Sequence, residues 1–349
     1  GLYTTDPNPR VGAVVVKDGR VIGEGFHVRA GEPHAEVLAL RQAGEAARGA
    51  TVYVTLEPCN HHGRTPPCVD ALIAAGVARV VAAMRDPNPL AADGFARLDA
   101  AGIATASGVL ENEARALNPG FVKRMRDGLP WLRVKLAMSL DGRTAMANGE
   151  SQWITGEAAR GDVQRLRARS SAVMTGIGTL LADDPSLNVR LAAETLDIEG
   201  VVRQPLRVVL DTRLQTPPTA RLLTLPGTTL VMTAERDGAC RARLETAGAE
   251  VCVMPEVEGR LDLHAVMCEL ARRGLNEIHV EAGPLLSGAL LAAGLVDELV
   301  IYMAPHLMGS EARGLLHLPG LERMTDRVPL KIADLRAVGD DWRITAVPM

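Results

Sequence analysis

One set of residues constrains this chain more than any other: His34-Ala35-Glu36, Pro58-Cys59 and Cys68. They supply an imidazole, two thiols and a carboxylate, the parts of a catalytic zinc site. Zinc accepts histidine nitrogen and cysteine sulfur, and three protein ligands leave a fourth tetrahedral position for water, whose pKa falls toward ~7 on the metal. His34, Cys59 and Cys68 are the predicted ligands. Glu36, two residues beyond His34 at a predicted helix start, is placed beside that water as a proton shuttle without ligating the metal. A helix N-terminus at Cys68 would favour its thiolate.

Sets of this kind remove an exocyclic amine from a nucleobase and release ammonia. Two other readings of the same residues stay open at this point. His34 and the cysteines could be ordinary packed residues beside a solvated Glu36. Alternatively, His61 or His62 could close the site as a fourth ligand and make it structural. The spacer from Asn60 to Pro67 is longer than the two residues that separate the cysteines in the usual nucleobase-deaminase pattern.

The surrounding sequence alternates. Apolar residues at 11–16 and 21–22 flank Lys17-Asp18-Gly19-Arg20, a hairpin signature. A helix is predicted over 34–47, a strand over 51–55, a helix over 68–75 ended by Gly76, and a strand over 79–83. This is an α/β layered pattern. Asn118-Pro119-Gly120, Lys123-Arg124-Met125-Arg126 and Asp127-Gly128-Leu129-Pro130 interrupt it, so 349 residues are read as two domains, 1–128 and 129–349. The second half predicts strands at 133–136, 171–175, 206–210, 229–233, 277–280 and 298–302. Helices at 156–168, 263–273 and 284–293 between them imply a largely parallel sheet.

Composition narrows the partners. No apolar run reaches the ~18 residues of a membrane span. A net charge of −4 gives no general attraction to a phosphodiester backbone, so neither membrane nor nucleic acid is an expected partner. Five cysteines without regular spacing, and no secretory leader, point to reduced thiols and a cytoplasmic location; Cys240, Cys252 and Cys268 receive no role. Because Gly1 runs almost at once into Asn8-Pro9-Arg10-Val11-Gly12, a preceding segment containing a helix is expected.

Thr5-Asp6-Pro7-Asn8-Pro9-Arg10-Val11-Gly12, Gly31-Glu32-Pro33-His34-Ala35-Glu36 and the stretch from Thr55-Leu56-Glu57-Pro58-Cys59 to Thr65-Pro66-Pro67-Cys68 carry a family likeness. So do Ser139-Leu140-Asp141-Gly142-Arg143, Ser151-Gln152-Trp153-Ile154-Thr155, Leu181-Ala182-Asp183-Asp184-Pro185 and Val280-Glu281-Ala282-Gly283-Pro284. Across the whole chain the sequence resembles the bifunctional riboflavin biosynthesis deaminase-reductase family. The resemblance implies a cytidine-deaminase-like three-layer α/β/α domain followed by a dihydrofolate-reductase-like α/β domain. It implies zinc-dependent hydrolysis of an amino group from a diaminopyrimidinone ribosylamino phosphate, and then NADPH-dependent reduction of the ribosyl to a ribityl chain.

By the same resemblance the cofactor contacts are Ala137, Trp153, Thr179, Asp183, Thr212, Gly283, Pro284, Leu285, Leu286, Ser287, Gly288 and Ala289. The implied substrate contacts are Ser151, Arg167, Leu187, Arg190 and Glu281. A helix opening after Glu281-Ala282-Gly283-Pro284 suits a phosphate, and Arg167 and Arg190 suit a sugar phosphate. Gly176-Ile177-Gly178 lacks the third glycine of a dinucleotide fingerprint. The acid of the reduction stays open among Asp141, Asp183, Glu281 and water. A homo-oligomer is also implied. The alternatives are a nucleic-acid editing deaminase, or a reductase whose deaminase domain is inactive. A purely regulatory binding protein is disfavoured by the intact His34, Glu36, Cys59 and Cys68.

Overall fold

Asp18 and Gly19 both adopt left-handed backbone, φ 51° and 73°, the conformation that matches the twist of an antiparallel hairpin. They join β1 (Gly12–Lys17) to β2 (Arg20–Phe26). The computed structural model describes residues 1–91 and 93–349, and the chain divides into units Gly1–Gly128 and Leu129–Met349.

In the first unit β1 also pairs antiparallel with β3 (Thr51–Val54), and β4 (Arg79–Ala82) and β5 (Ala104–Ser107) follow in parallel, giving the order β2-β1-β3-β4-β5. Helices α1 (Ala35–Ala43), α2 (Cys68–Ala75) and α3 (Gly94–Ala100) bury Ala39, Leu72 and Leu98 in one core with Val15, Val52 and Val80. Helices α4 (Glu111–Leu117) and α5 (Pro119–Asp127) close a second cluster, in which Ala114 and Phe121 meet Leu56 and Met84. Val14, Tyr53 and Val81, residues alternating with those of the first core, line an apolar groove of about 920 Å³ with Phe26, Leu110 and Leu117.

Two glycines decide how closely α1 can approach the sheet. A Cβ on Gly25 would lie 2.7 Å from the Ala35 carbonyl and the Ala39 nitrogen, and one on Gly23 would lie 2.3 Å from the Ala39 carbonyl. Helix backbone therefore rests directly on strand backbone, which fixes the height of the α1 N-terminus where Glu36 stands.

The second unit contains, in chain order, β6 (Trp131–Ser139), β7 (Arg143–Ala145), α6 (Glu157–Arg169), β8 (Ala172–Gly176), α7 (Ile177–Asp183), β9 (Leu206–Leu210), α8 (Arg221–Thr224) and β10 (Thr229–Thr233). It continues with α9 (Gly238–Thr246), β11 (Ala249–Val253), β12 (Glu256–Val257), β13 (Arg260–Leu261), α10 (Leu263–Arg272), β14 (Glu277–Glu281) and α11 (Pro284–Ala292). The last elements are β15 (Glu298–Ala304), β16 (Arg313–Gly314), β17 (Leu330–Val338) and β18 (Asp341–Pro348).

Nine strands form one sheet in the order β11-β10-β9-β8-β14-β6-β15-β18-β17. The first seven run parallel and the last two are antiparallel. All six strands predicted in this half are present, and the predicted helices appear as α6, α10 and α11. The sequence reading did not anticipate β11 or the β17–β18 hairpin.

One face of this sheet is apolar: Val134, Met174, Val208, Ile278 and Val280 pack with Val266 and Leu270 of α10 and Leu290 of α11. The opposite face is mixed. Ala159, Val163 and Leu166 of α6 cover Val300 and Tyr302, but beside them lies a buried ionic ladder. Arg133 on β6 donates to Glu298 at 2.8 Å and to Glu277 at 3.3 Å, and Arg169 of α6 approaches Glu277 at 3.1 Å. The N-terminus of α6 has no cap of its own. Asp341, 185 residues later, accepts the Gly156 N–H at 2.7 Å.

The seating of α1 gives a direct test. Gly25→Val should destabilise the chain by about 1–3 kcal/mol or more through forced overpacking, read as a lowered urea midpoint. An unchanged midpoint would show that α1 has room to move.

Candidate functional site

The three predicted zinc ligands converge. His34 is the N-cap of α1 and Cys68 its counterpart at the first position of α2, while Cys59 lies on the loop after β3. His34 Nδ1 is 3.1 Å from Cys68 Sγ and 3.6 Å from Cys59 Sγ. All three ligand atoms lie within 4.8 Å of one another. Zn–N and Zn–S bonds of ordinary length at a tetrahedral angle place ligand atoms about 3.5 Å apart, so the donor set fits zinc. Among the described residues no other histidine, cysteine or carboxylate joins the cluster. His61 and His62 are exposed on the loop, so the closed structural reading lacks its fourth ligand.

The thiols are unequal. A hydrogen bond from the Cys68 thiol, aided by His34, draws Cys59 down to about 4, whereas that bond and burial push Cys68 up. The backbone N–H of Cys68 also donates to Cys59 Sγ at 3.4 Å. Glu36 is 3% exposed, and burial pushes its carboxyl up from the usual range. It stands beside the ligands as a carboxyl group that burial makes a better proton acceptor than an exposed one.

Three supporting residues escaped the sequence reading. His34 Nε2 faces Thr65 Oγ1 at 3.2 Å, an acceptor for the ring proton on Nε2 when Nδ1 is given to the metal. His27 packs edge-on against His34 with centroids 5.1 Å apart. Asn8 Nδ2 donates to its Nε2 at 3.1 Å, and its Nδ1–H donates to the Pro33 carbonyl at 3.2 Å. Asn8 and Thr65 lie inside the motifs quoted above, but nothing local marks His27. Below them, buried Glu57 accepts the Phe95 and Asp86 N–H groups and pairs with Arg85 at 3.0 Å, fixing the loop that carries Cys59.

In the second unit the expected residues gather where β6, β8 and β14 end. Gly283 caps α11, and its N–H donates to Thr179 Oγ1 of α7 at 3.1 Å. Gly176 abuts Leu286. Trp153 is 71% exposed, with the Arg160 guanidinium 4.8 Å over its ring. Ala137 and Ser151 are half-buried, as are Thr212, Pro284 and Ala289; Asp183 and Leu285 are exposed.

Three of the expected residues, Leu187, Ser287 and Gly288, are buried. Leu187 is 1% exposed and belongs to the core with Val173 and Leu180, so it has no side chain to offer a substrate. Ser287 is buried and bonds the Ala282 carbonyl. Gly288 faces the His317 backbone so tightly that a Cβ would lie 2.0 Å from its carbonyl oxygen. Ser287 and Gly288 seat α11 instead of lining its outer surface.

Arg167 and Glu281 meet each other. The guanidinium grips both carboxylate oxygens at 2.5 and 2.9 Å, donates its remaining arm to the Asn188 carbonyl at 2.9 Å, and holds Glu281 well below the carboxylate range despite burial. Lys135, in register with Glu281 across β6 and β14, is a half-buried amine that the sequence reading missed; desolvation lowers its pKa. Arg190 remains exposed. Asp141 accepts from Ser139 Oγ and from the Met308 and Gly309 N–H groups, and the Ser139 bond first among these draws it down to about 2. It acts as a staple between loops and is no reservoir of protons.

Comparison with known proteins accounts for both sites. The model of the cytidine and deoxycytidylate deaminase zinc-binding region matches residues 2–84, and that of the RibD C-terminal domain matches 130–344. The riboflavin biosynthesis protein RibD of Escherichia coli is 55% identical over 347 residues, covering 98% of this chain and 94% of that protein. The Haemophilus influenzae protein of the same name is 50% identical, covering 100% and 94%. Among solved structures, Acinetobacter baumannii RibD superposes with a TM-score of 0.89 at 47% identity, covering 100% of this chain and 95% of that one. A Thermotoga maritima diaminohydroxyphosphoribosylaminopyrimidine deaminase/5-amino-6-(5-phosphoribosylamino)uracil reductase does so with a TM-score of 0.86 at 32% identity, with the same coverage.

Thr65 offers a test of the metal centre that does not depend on turnover. Thr65→Val removes the acceptor that orients His34 and should weaken zinc retention by about 10–100-fold, measured by competition with a chelator. Unchanged retention would mean that the His34 ring is held by its packing alone.

Proposed function

The chain belongs to the RibD family of riboflavin biosynthesis proteins, and from that premise we propose which residues carry each of its two activities. It is a bifunctional enzyme, a zinc-dependent deaminase joined to an NADPH-dependent reductase. We assign the deamination of a diaminopyrimidinone ribosylamino phosphate to residues 1–128 and the reduction of its ribosyl chain to residues 129–349. The observation that carries the first assignment is the three-ligand cluster with buried Glu36 beside it.

When bound, zinc supplies the Lewis acidity that makes water nucleophilic at neutral pH, and NADPH supplies the reducing equivalent. His34, Cys59 and Cys68 hold the metal. Glu36 takes a proton from the attacking water and passes it to the departing amino nitrogen, so that ammonia leaves as oxygen joins the ring carbon. His27 and Thr65 keep the His34 ring in one orientation throughout.

For the reductase, Ala137, Trp153, Thr179, Asp183, Thr212 and residues 283–289, Ser287 and Gly288 through their backbone, form the cofactor side. Ser151, Arg167, Arg190, Glu281 and the backbone at Leu187 form the substrate side. Exposed Arg190 meets the phosphate first, since Arg167 is engaged with Glu281. A nucleic-acid editing deaminase would leave the second unit without a task, and the family model over 130–344 is that of a reductase.

We also place the enzyme in the cytoplasm, a reading supported by five free thiols, and propose that it is a homo-oligomer. Among the described residues no helix is long and apolar enough to cross a membrane. The support for self-association is β17, an edge strand with Leu330, Ile332 and Leu335 exposed beside Trp342 of β18. Such edges are usually covered. Ile332→Asp should shift the sedimenting species toward monomer; an unchanged distribution would exclude this surface.

Glu36→Gln tests the deaminase. Zinc content should stay the same, ammonia release should fall about 10²–10⁴-fold, and NADPH oxidation with pre-deaminated substrate should persist. Retained ammonia release would remove Glu36 from the mechanism.

A further inference from the structure

Along β14, Glu277, His279 and Glu281 alternate with Ile278 and Val280, which belong to the apolar core on the other face. Glu277 and Glu281 are both engaged by arginines of α6. His279, between them, has been given no role. Its ring is 0% exposed, and neither ring nitrogen makes an aligned hydrogen bond among the described residues. An aliphatic or phenyl side chain would fill this position without burying two unsatisfied nitrogens, so the imidazole calls for an explanation.

Its surroundings provide one. His279 Nε2 is 3.3 Å from Glu281 Oε1. That same oxygen takes the Nε–H of Arg167 at 2.5 Å, while Oε2 takes Nη2 at 2.9 Å. Arg167, with a third donor on the Asn188 carbonyl, keeps one hydrogen on each of Nη1 and Nη2, so a phosphate that takes the guanidinium side-on through Nε and Nη2 displaces Glu281. A buried carboxylate that loses its partner pays heavily or takes up a proton.

We propose that His279 is a positioning residue of the reductase, whose Nε2–H takes over Oε1 of Glu281 when Arg167 turns to the substrate phosphate. This deepens, and rests on, the assignment of Arg167 and Glu281 to the substrate. The exchange keeps Glu281 ionised and in place while the guanidinium moves. A neutral imidazole suits this task better than a second cation, because it can stand idle in the free enzyme without leaving a bare buried charge. Burial lowers the pKa of the ring against the opposing pull of Glu281, and the Arg133 and Arg167 charges add to the lowering. Lys135, facing Glu281 from β6, already fills the place a permanent positive neighbour would take.

The test is steady-state reduction of pre-deaminated pyrimidine phosphate by the full-length enzyme and its variants His279→Leu, His279→Gln and Glu281→Gln, with NADPH affinity titrated separately. His279→Gln places an amide N–H near the position of Nε2 and should stay within about threefold of the parent. His279→Leu should raise KM for the pyrimidine phosphate about tenfold while leaving NADPH affinity unchanged. Should the leucine variant fail to fold, His279→Asn takes its place, since its shorter amide stops near the Nδ1 position and should show the same rise.

Leucine or asparagine variants with the parent's KM, or a glutamine variant that loses as much as they do, would overturn the proposal while Glu281→Gln remains impaired. If Glu281→Gln itself keeps the parent's kinetics, Glu281 is not a substrate residue, and both the assignment and the role of His279 fall together.

Discussion

A strand that hands over to a helix at a sheet edge brings side chains and unpaired peptide N–H groups to one place. Both units of this protein build their chemistry on that constraint. In the first, His34 caps α1 and Cys68 opens α2, so two of three metal ligands stand at helix N-termini, and the free N–H of Cys68 there donates to the sulfur of the third, Cys59. In the second, β8 runs through Gly176 into α7 and β14 through Gly283 into α11, and the Thr179–Gly283 hydrogen bond ties the two junctions together. The chemistry differs between the units, but the backbone supplies the same kind of platform.

The two units handle buried charge differently. The deaminase side gathers acidic donors whose protons a divalent cation displaces, so binding of metal satisfies groups that would otherwise compete for a proton. The reductase side has arginine opposite glutamate in a nearly dry layer between α6 and the sheet, and each cation there touches more than one acceptor. Removing one member of such a layer costs more than the whole layer contributes to stability, because the remaining partner stays buried and unpaired. That asymmetry makes the layer a rigid base for Glu281.

What could be read from the sequence follows from what is local. Strand period, helix caps and the Asp18-Gly19 turn are short-range signals, and the corresponding elements are present. The ligands His34, Cys59 and Cys68 could be read because zinc demands particular side chains, whatever the fold. His27 could not, since its meaning comes from an edge-on contact with a ring across a turn. Lys135 and His279 looked like polar interruptions in apolar strands until the register set Lys135 beside Glu281 and put His279 on its face of the sheet. Leu187, Ser287 and Gly288 were marked by family position alone, and it is packing that leaves them only their backbone to offer a ligand. β17 went unread because a bulge between Ile332 and Asp334 shifts the phase of its alternation and leaves no buried face.

The Asp341 cap on α6 has a consequence for how the polypeptide is made. The helix that carries Arg167 receives its N-terminal partner from a turn 185 residues farther along the chain. During synthesis from the N-terminus, His34, Cys59 and Cys68 have all been delivered while the second unit is still emerging. The second unit can close only after the ribosome has delivered β18, since the central strands β14 and β15 and the cap on α6 all come late. Until then Arg167 stands on a helix without its cap, so a nascent chain that already holds all three metal ligands is still an incomplete reductase.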